Sequence, residues 1–182
     1  EAFDREFLEP GIQMRQELLA QFERGEIDES TLPRDVLLVL LRNQDKVPMN
    51  RESLRREIAF YLLAGAHTSA TALTRVVHNI FKWLEKHPED HEKAYNDKVF
   101  LQRATHETIR LQPSSPTSAR WATEDIELSS GKVISKGDKV VIDLETVNRH
   151  KPSFGEDAND FNPLRELPQG VQPWGLSFGQ GM

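Results

Sequence analysis

From Asn50 to Lys86 the chain carries one helical pattern without a break, and no other feature constrains the fold as much. Asn50 is a good N-cap residue, and Met49 before it can staple onto Leu54 in the first turn. Apolar residues then recur at Ile58, Leu62, Ala66, Leu73, Val77, Ile80 and Leu84 until Pro88 ends the run. About 36 residues at ~1.5 Å rise make a rod of roughly 54 Å, several times the usual helix length. A helix that long, and apolar through its middle, is expected to cross a whole domain.

The flanking segments are also helical on the N-terminal side. Phe3 to Arg24 reads as a helix with apolar residues at Phe7, Leu8, Ile12, Leu18, Leu19 and Phe22, stopped by Gly25 and interrupted by Pro10-Gly11. Val36 to Leu41 reads as a short helix, apolar enough to be buried on most sides. Asn96 to Leu111 forms another, ended by Pro113 and Pro116. The pattern then changes to short β-favouring runs at 117–122, 126–128, 133–134 and 139–143, separated by turns at Ser129-Ser130-Gly131 and Lys136-Gly137-Asp138. After Lys151 periodicity fades into Pro, Gly, Asn and Asp. A tail of that length without regular structure signals function or disorder.

Composition narrows the classes. A formal charge of −6 argues against nucleic acid as a partner, because phosphate binding wants a basic face. With 37% hydrophobic and 29% charged residues, the chain reads as globular rather than disordered. It contains no cysteine, which excludes disulfides, thiolate metal sites and cysteine nucleophiles within these residues. The longest apolar run, Ile58 to Ala66, is too short to span a bilayer.

Several local patterns carry chemistry. Mid-helix Ala64-Gly65-Ala66-His67-Thr68-Ser69 breaks helix rules, since glycine there costs about 1 kcal/mol relative to alanine. It reads either as a small-residue notch for close helix packing or as a groove presenting a hydroxyl and an imidazole to a ligand. Glu107 and Arg110 stand at i and i+3, a commonplace helical pair in isolation. Asp160-Phe161-Asn162-Pro163-Leu164-Arg165 reads alone as a turn with a solvent-facing arginine, and Arg120 as a strand-edge residue. His87 and His91 have the i, i+4 spacing of a metal pair, but Pro88 spoils the helix between them, so no metal site is expected. The chain ends in Pro173-Trp174-Gly175-Leu176-Ser177-Phe178-Gly179-Gln180-Gly181-Met182, a glycine-rich loop.

Taken in order, these patterns resemble the second half of a cytochrome P450, a haem-thiolate monooxygenase. Phe178 and Gly181 match the opening of the family's Phe-x-x-Gly-x-x-x-Cys ligand loop. Residues 64–69 match its Ala/Gly-Gly-x-Asp/Glu-Thr-Thr/Ser helix groove. Glu107-x-x-Arg110 with Pro113 behind it matches its Glu-x-x-Arg helix, and Phe161-x-Pro163-x-Arg165 matches the segment whose arginine completes a buried triad. The resemblance implies a mainly α fold with a small β component, built around one long central helix. It implies that residues 1–182 are part of a single domain truncated at both ends: 1–116 mainly helical, 117–143 short strands, 144–182 irregular and opening the haem loop.

The same resemblance implies site roles. Thr68 and His67 would be catalytic, organising proton delivery. Gly65, Arg120, Phe178, Gly179 and Gly181 would bind the cofactor, and Glu107, Arg110 and Arg165 would form the structural triad. The parent protein would hold haem b and take electrons from a ferredoxin or flavoprotein reductase. It would insert oxygen into an apolar small molecule, in the cytoplasm, with no membrane segment in this chain. Three departures stand out: His67 sits where the family usually has an acid, Gly175 where many soluble members have a histidine, and the cysteine would fall three positions beyond Met182. The fragment alone is therefore expected to be inactive. A non-catalytic helical binding or scaffolding module of the same fold is the alternative.

Overall fold

The computed structural model describes residues 2–179. The chain divides into two compact units, Glu1–Ala66 and His67–Met182, and the division falls within the long helix.

In the first unit a π-helical turn, Asp4–Leu8, leads directly into α1 (Glu9–Glu23). The first turns are set apart at Pro10-Gly11, as the sequence suggests, but by a change of helix type rather than a break: the π-helical turn gives way to α1, which carries Pro10 in its first turn. Gly11 has a packing role: an added Cβ would lie 3.3 Å from Leu37 Cδ2, on α2 (Val36–Arg42). Asp35 caps α2 by accepting from Leu38 N at 2.9 Å and ties it to α1 through Arg15 Nη2 at 2.7 Å. Leu8, Ile12, Leu37 and Leu54 form the unit's core, with Met49 and Ile58 packed against it. Each such side chain, fully buried, contributes roughly 1.5–3 kcal/mol. α2 is not buried on most sides as its composition suggests. Leu37 and Leu38 turn inward while Val39 is 57% exposed, because only one face of so short a helix meets the core.

The long helix, α3, spans Arg51–Lys86 in 36 residues. Asn50 Oδ1 accepts from Ser53 N at 2.8 Å, the cap its sequence promises. Its middle is less covered than expected for a domain-crossing helix: Leu62, Leu63 and Leu73 are 58%, 72% and 66% exposed. No helix among the described residues is long and apolar enough to cross a membrane.

In the second unit the helix expected over Asn96–Leu111 forms from Lys98, and a short helix that the sequence pattern does not indicate precedes it. α4 (His91–Asn96) and α5 (Lys98–Leu111) are divided by Asp97, whose extended backbone ends the first and whose carboxylate caps the second through Val99 N at 2.8 Å. β1 (Thr117–Trp121) pairs antiparallel with β4 (Lys139–Asp143), Thr117 opposite Asp143. Between them β2 (Ile126–Glu127) and β3 (Val133–Ile134) form a small hairpin. The stretch read as irregular contains two short helices, α6 (Leu144–Val147) and α7 (Lys151–Phe154). Asp143 caps the first through Thr146 N at 3.0 Å.

Asp90, 2% exposed, closes the end of α3. It accepts from Lys93 Nζ at 2.7 Å and from Trp83 Nε1 at 2.8 Å, while the Trp83 ring stacks on His87 and meets Phe161 edge-on. The Lys93 ammonium and the indole N–H hold its carboxyl below the usual carboxylate range. A carboxyl depressed in the folded state adds stability that is complete above its unfolded pKa of about 4 and disappears as pH falls through the lower folded value. Asp90→Ala is expected to cost about 1–3 kcal/mol in urea unfolding at neutral pH, since it strands the buried indole N–H. As pH falls below about 4 the gap between variant and parent should shrink, and a gap independent of pH would contradict the assignment.

Candidate functional site

Glu107 and Arg110 lie one turn apart on the inner face of α5, and both are buried. Glu107 Oε1 accepts from Arg110 Nη2 at 2.7 Å, Arg165 Nε at 3.1 Å and Asn162 N at 3.2 Å; Oε2 accepts from Arg110 Nε at 2.7 Å. The guanidinium of Arg110 is wholly buried, a location tolerable only if every donor is paired. Its remaining donors reach the carbonyls of Asn148 (2.7 Å), Ala158 (2.8 Å) and Asp160 (3.4 Å), and its Cζ lies 4.7 Å from the centre of the Phe154 ring. Arg165 is treated the same way. Besides Glu107 it donates to the carbonyls of Phe154, Asp157 and Asp160 and to Asp157 Oδ1. Far from facing solvent as a lone turn arginine would, its side chain is 6% exposed.

The C-terminus of α5 lies directly over the terminal loop. Asn148, fully buried, donates from Nδ2 to Arg110 O at 3.0 Å and to Ser177 Oγ at 2.9 Å, and Oδ1 accepts from Leu176 N at 2.7 Å. Ser177 Oγ in turn donates to Ile109 O at 2.9 Å. Gly175, where the resemblance leads one to look for a histidine, sits at φ +59 with Asn148 Oδ1 only 2.2 Å from where a Cβ would stand. No side chain fits there in this geometry, so the glycine is required by packing. The loop continues through Trp174, edge-on to His106 at 5.1 Å and to Phe178 at 6.0 Å. Burial holds the His106 imidazole below its ordinary pKa.

The other sequence-selected residues are placed apart from this cluster. Phe178 is 73% exposed, and Gly179 adopts φ +75 with open space around it. Gly181 lies outside the described residues. Arg120 is exposed on β1 and donates to Ala119 O at 2.8 Å and Ser118 Oγ at 3.4 Å. Gly65, His67 and Thr68 are all exposed on α3. A Cβ added at Gly65 would meet no atom within 4 Å, so among the described residues no helix packs into that notch. The Thr68 carbonyl accepts from Ser114 Oγ at 3.1 Å. His87 and His91 stack on Trp83 and Tyr95 respectively.

Asn148-Arg149-His150 is one of the ordered patterns that carry the family resemblance, but sequence reading assigns Asn148 no role of its own. Only its zero exposure and its partners 28 and 38 residues away reveal its role.

Comparison with known proteins places the chain in a family. A family model described as cytochrome P450 matches residues 5–181. The chain is 30% identical to probable cytochrome P450 313a3 of Drosophila melanogaster over 178 residues, covering 89% of this chain and 36% of that protein. It is 27% identical to the bifunctional cytochrome P450/NADPH–P450 reductase 2 of Bacillus subtilis, covering 81% of this chain and 16% of that one. Among solved structures, CYP154A1 from Streptomyces coelicolor A3(2) superposes with a TM-score of 0.61 at 23% identity, over 93% of this chain and 39% of that one. The chain spans about a third of the length of the first curated relatives it matches. The match along nearly all of its length, carried by a mainly helical fold of the same kind, shows that the chain belongs to the cytochrome P450 family.

Proposed function

We propose that the complete protein is a haem-dependent monooxygenase that inserts one oxygen atom from O2 into an apolar organic substrate. The observation that carries this reading is the buried Glu107–Arg110–Arg165 cluster tied to a loop that ends in an exposed aromatic and an open glycine. These residues suit the rim of a large planar cofactor. Phe178 offers an uncovered aromatic face, Gly179 leaves its backbone approachable, and Arg120 presents a guanidinium for a propionate. The thiolate ligand is not among the 182 residues, and the proposal places it three positions past Met182. Haem b held there would supply oxygen activation, which a thiolate ligand favours.

The rest of the chemistry falls to this chain's side chains. Thr68 and His67 are adjacent and exposed on α3, where a hydroxyl and an imidazole can hold and pass a proton at Oγ1 and the ring nitrogens. Leu73 and Val77, exposed further along the same helix, favour an apolar substrate over a charged one. The reductase named in the Bacillus subtilis relative supports a flavoprotein reductase as electron donor, with a ferredoxin as the other candidate. A cytoplasmic location is part of the same proposal.

The 182-residue chain, mixed with haem and reduced under carbon monoxide, is expected to show no long-wavelength band of a thiolate-ligated haem; its appearance would sink the argument. In the chain extended through the proposed cysteine, Glu107→Gln should lower haem content. Removing one partner strands buried guanidinium charge at about 3–5 kcal/mol, and full haem loading would show the cluster to be dispensable. Thr68→Ala in that extended chain should keep its haem but convert more of the electrons consumed into free hydrogen peroxide. Unchanged coupling of electrons to product would return Thr68 to a packing role.

A further inference from the structure

The last carbonyls of an α-helix have no partner within it and must find one elsewhere. In roughly a third to a half of helices a residue just past the end, usually glycine in the left-handed conformation, turns the backbone back to supply N–H donors. α5 has no such device. Gln112 follows it at φ −135, and Pro113 has no N–H to offer. Gln112 N satisfies Thr108 O at 2.8 Å, which leaves Ile109, Arg110 and Leu111. Each accepts from a distant side chain: Ile109 O from Ser177 Oγ at 2.9 Å, Arg110 O from Asn148 Nδ2 at 3.0 Å, and Leu111 O from Arg149 Nη2 at 2.8 Å.

Asn148 alone among the three reaches both sides. Its Nδ2 spans Arg110 O and Ser177 Oγ, its Oδ1 takes the amide of Leu176, and its own carbonyl accepts from Arg110 Nη1. Gly175 lies against the same amide group. The geometry points to Asn148 as the positioning residue of the terminal loop: it transfers the orientation of α5 and its charge cluster to the backbone of Leu176–Ser177, and so sets the direction in which the loop leaves toward the cofactor. A carboxamide is needed at this point because the side chain must donate twice on one side and accept on the other. An aspartate of the same shape would set a carboxylate oxygen against the Arg110 carbonyl. The functional half of this inference rests on the haem-loop reading; the structural half does not.

Two measurements separate them. In the 182-residue chain, hydrogen exchange at the Leu176 amide should speed up roughly tenfold to a hundredfold in Asn148→Ala, which removes its acceptor, and by less in Asn148→Asp, which keeps an acceptor for Leu176 N and loses the two donors. The amides of α1 should be unaffected. Ser177→Ala, which leaves Asn148 and its bond to Leu176 N in place, should give a smaller change and serves if the Asn148 variants unfold. Exchange at Leu176 that does not respond to any of the three, or that rises only in step with every amide of residues 67–179, overturns the positioning role. In the chain extended through the proposed cysteine, Asn148→Asp and Ser177→Ala should lower the share of bound haem that gives the thiolate-type carbon monoxide band. Faster exchange with an unaltered band per haem would overturn the link to the cofactor. An extended parent chain that binds no haem would sink the haem reading itself and leave the exchange result standing.

Discussion

A fully buried guanidinium is among the most demanding groups a protein interior can contain, and Arg110 dictates much of what surrounds it. Its five N–H donors need five acceptors in a planar fork, and Glu107 supplies two. The others must be carbonyls, which is why Asn148, Ala158 and Asp160 are drawn to one point from a stretch with little apolar periodicity. Arg165 repeats the demand and takes its acceptors from Phe154, Asp157 and Asp160. The segment after α6 is thus ordered less by hydrophobic burial than by the requirement that two cations find oxygen. A buried ion pair adds little net stability over an apolar replacement, so its contribution here is to specify one arrangement of chain.

The same helix imposes a second demand through its uncapped carbonyls. Charge and capping act on neighbouring atoms of one residue, since Arg110 donates through its side chain and accepts through its backbone. Asn148 answers both, with its carbonyl on the guanidinium and its amide on the carbonyl. Moving any one of α5, the 144–148 turn or the terminal loop would break bonds made by the other two.

The residues read as touching chemistry present a different picture from the residues that build the frame. Glu107, Arg110 and Asn148 are buried and saturated with partners, whereas His67, Thr68, Arg120 and Phe178 stand exposed. That division suits a family in which the protein binds and orients a cofactor that performs the difficult step. Buried polar networks hold the frame, and the exposed groups are the ones the proposed function assigns to ligand and substrate.

Local physics was enough to read the long helix, its Asn50 cap and the approximate places of the strands, because these depend on periodicity, capping and turn residues, while the residues of the charge cluster came from the fixed spacings of the family resemblance. It did not indicate α4, nor that Pro10 marks a change from π- to α-helix rather than a break, because both depend on how neighbouring turns share their backbone hydrogen bonds. What it could not contain was the pairing of Arg110 with carbonyls 38 to 50 residues away, or the need for Gly175 to lie against Asn148. Those contacts follow from which acceptors the folded chain brings within about 3 Å of a donor. Residue types and their spacing therefore determined the elements and the family, while tertiary structure alone decided which oxygen satisfies which buried N–H, because burial makes that choice obligatory and sequence distance does not limit it.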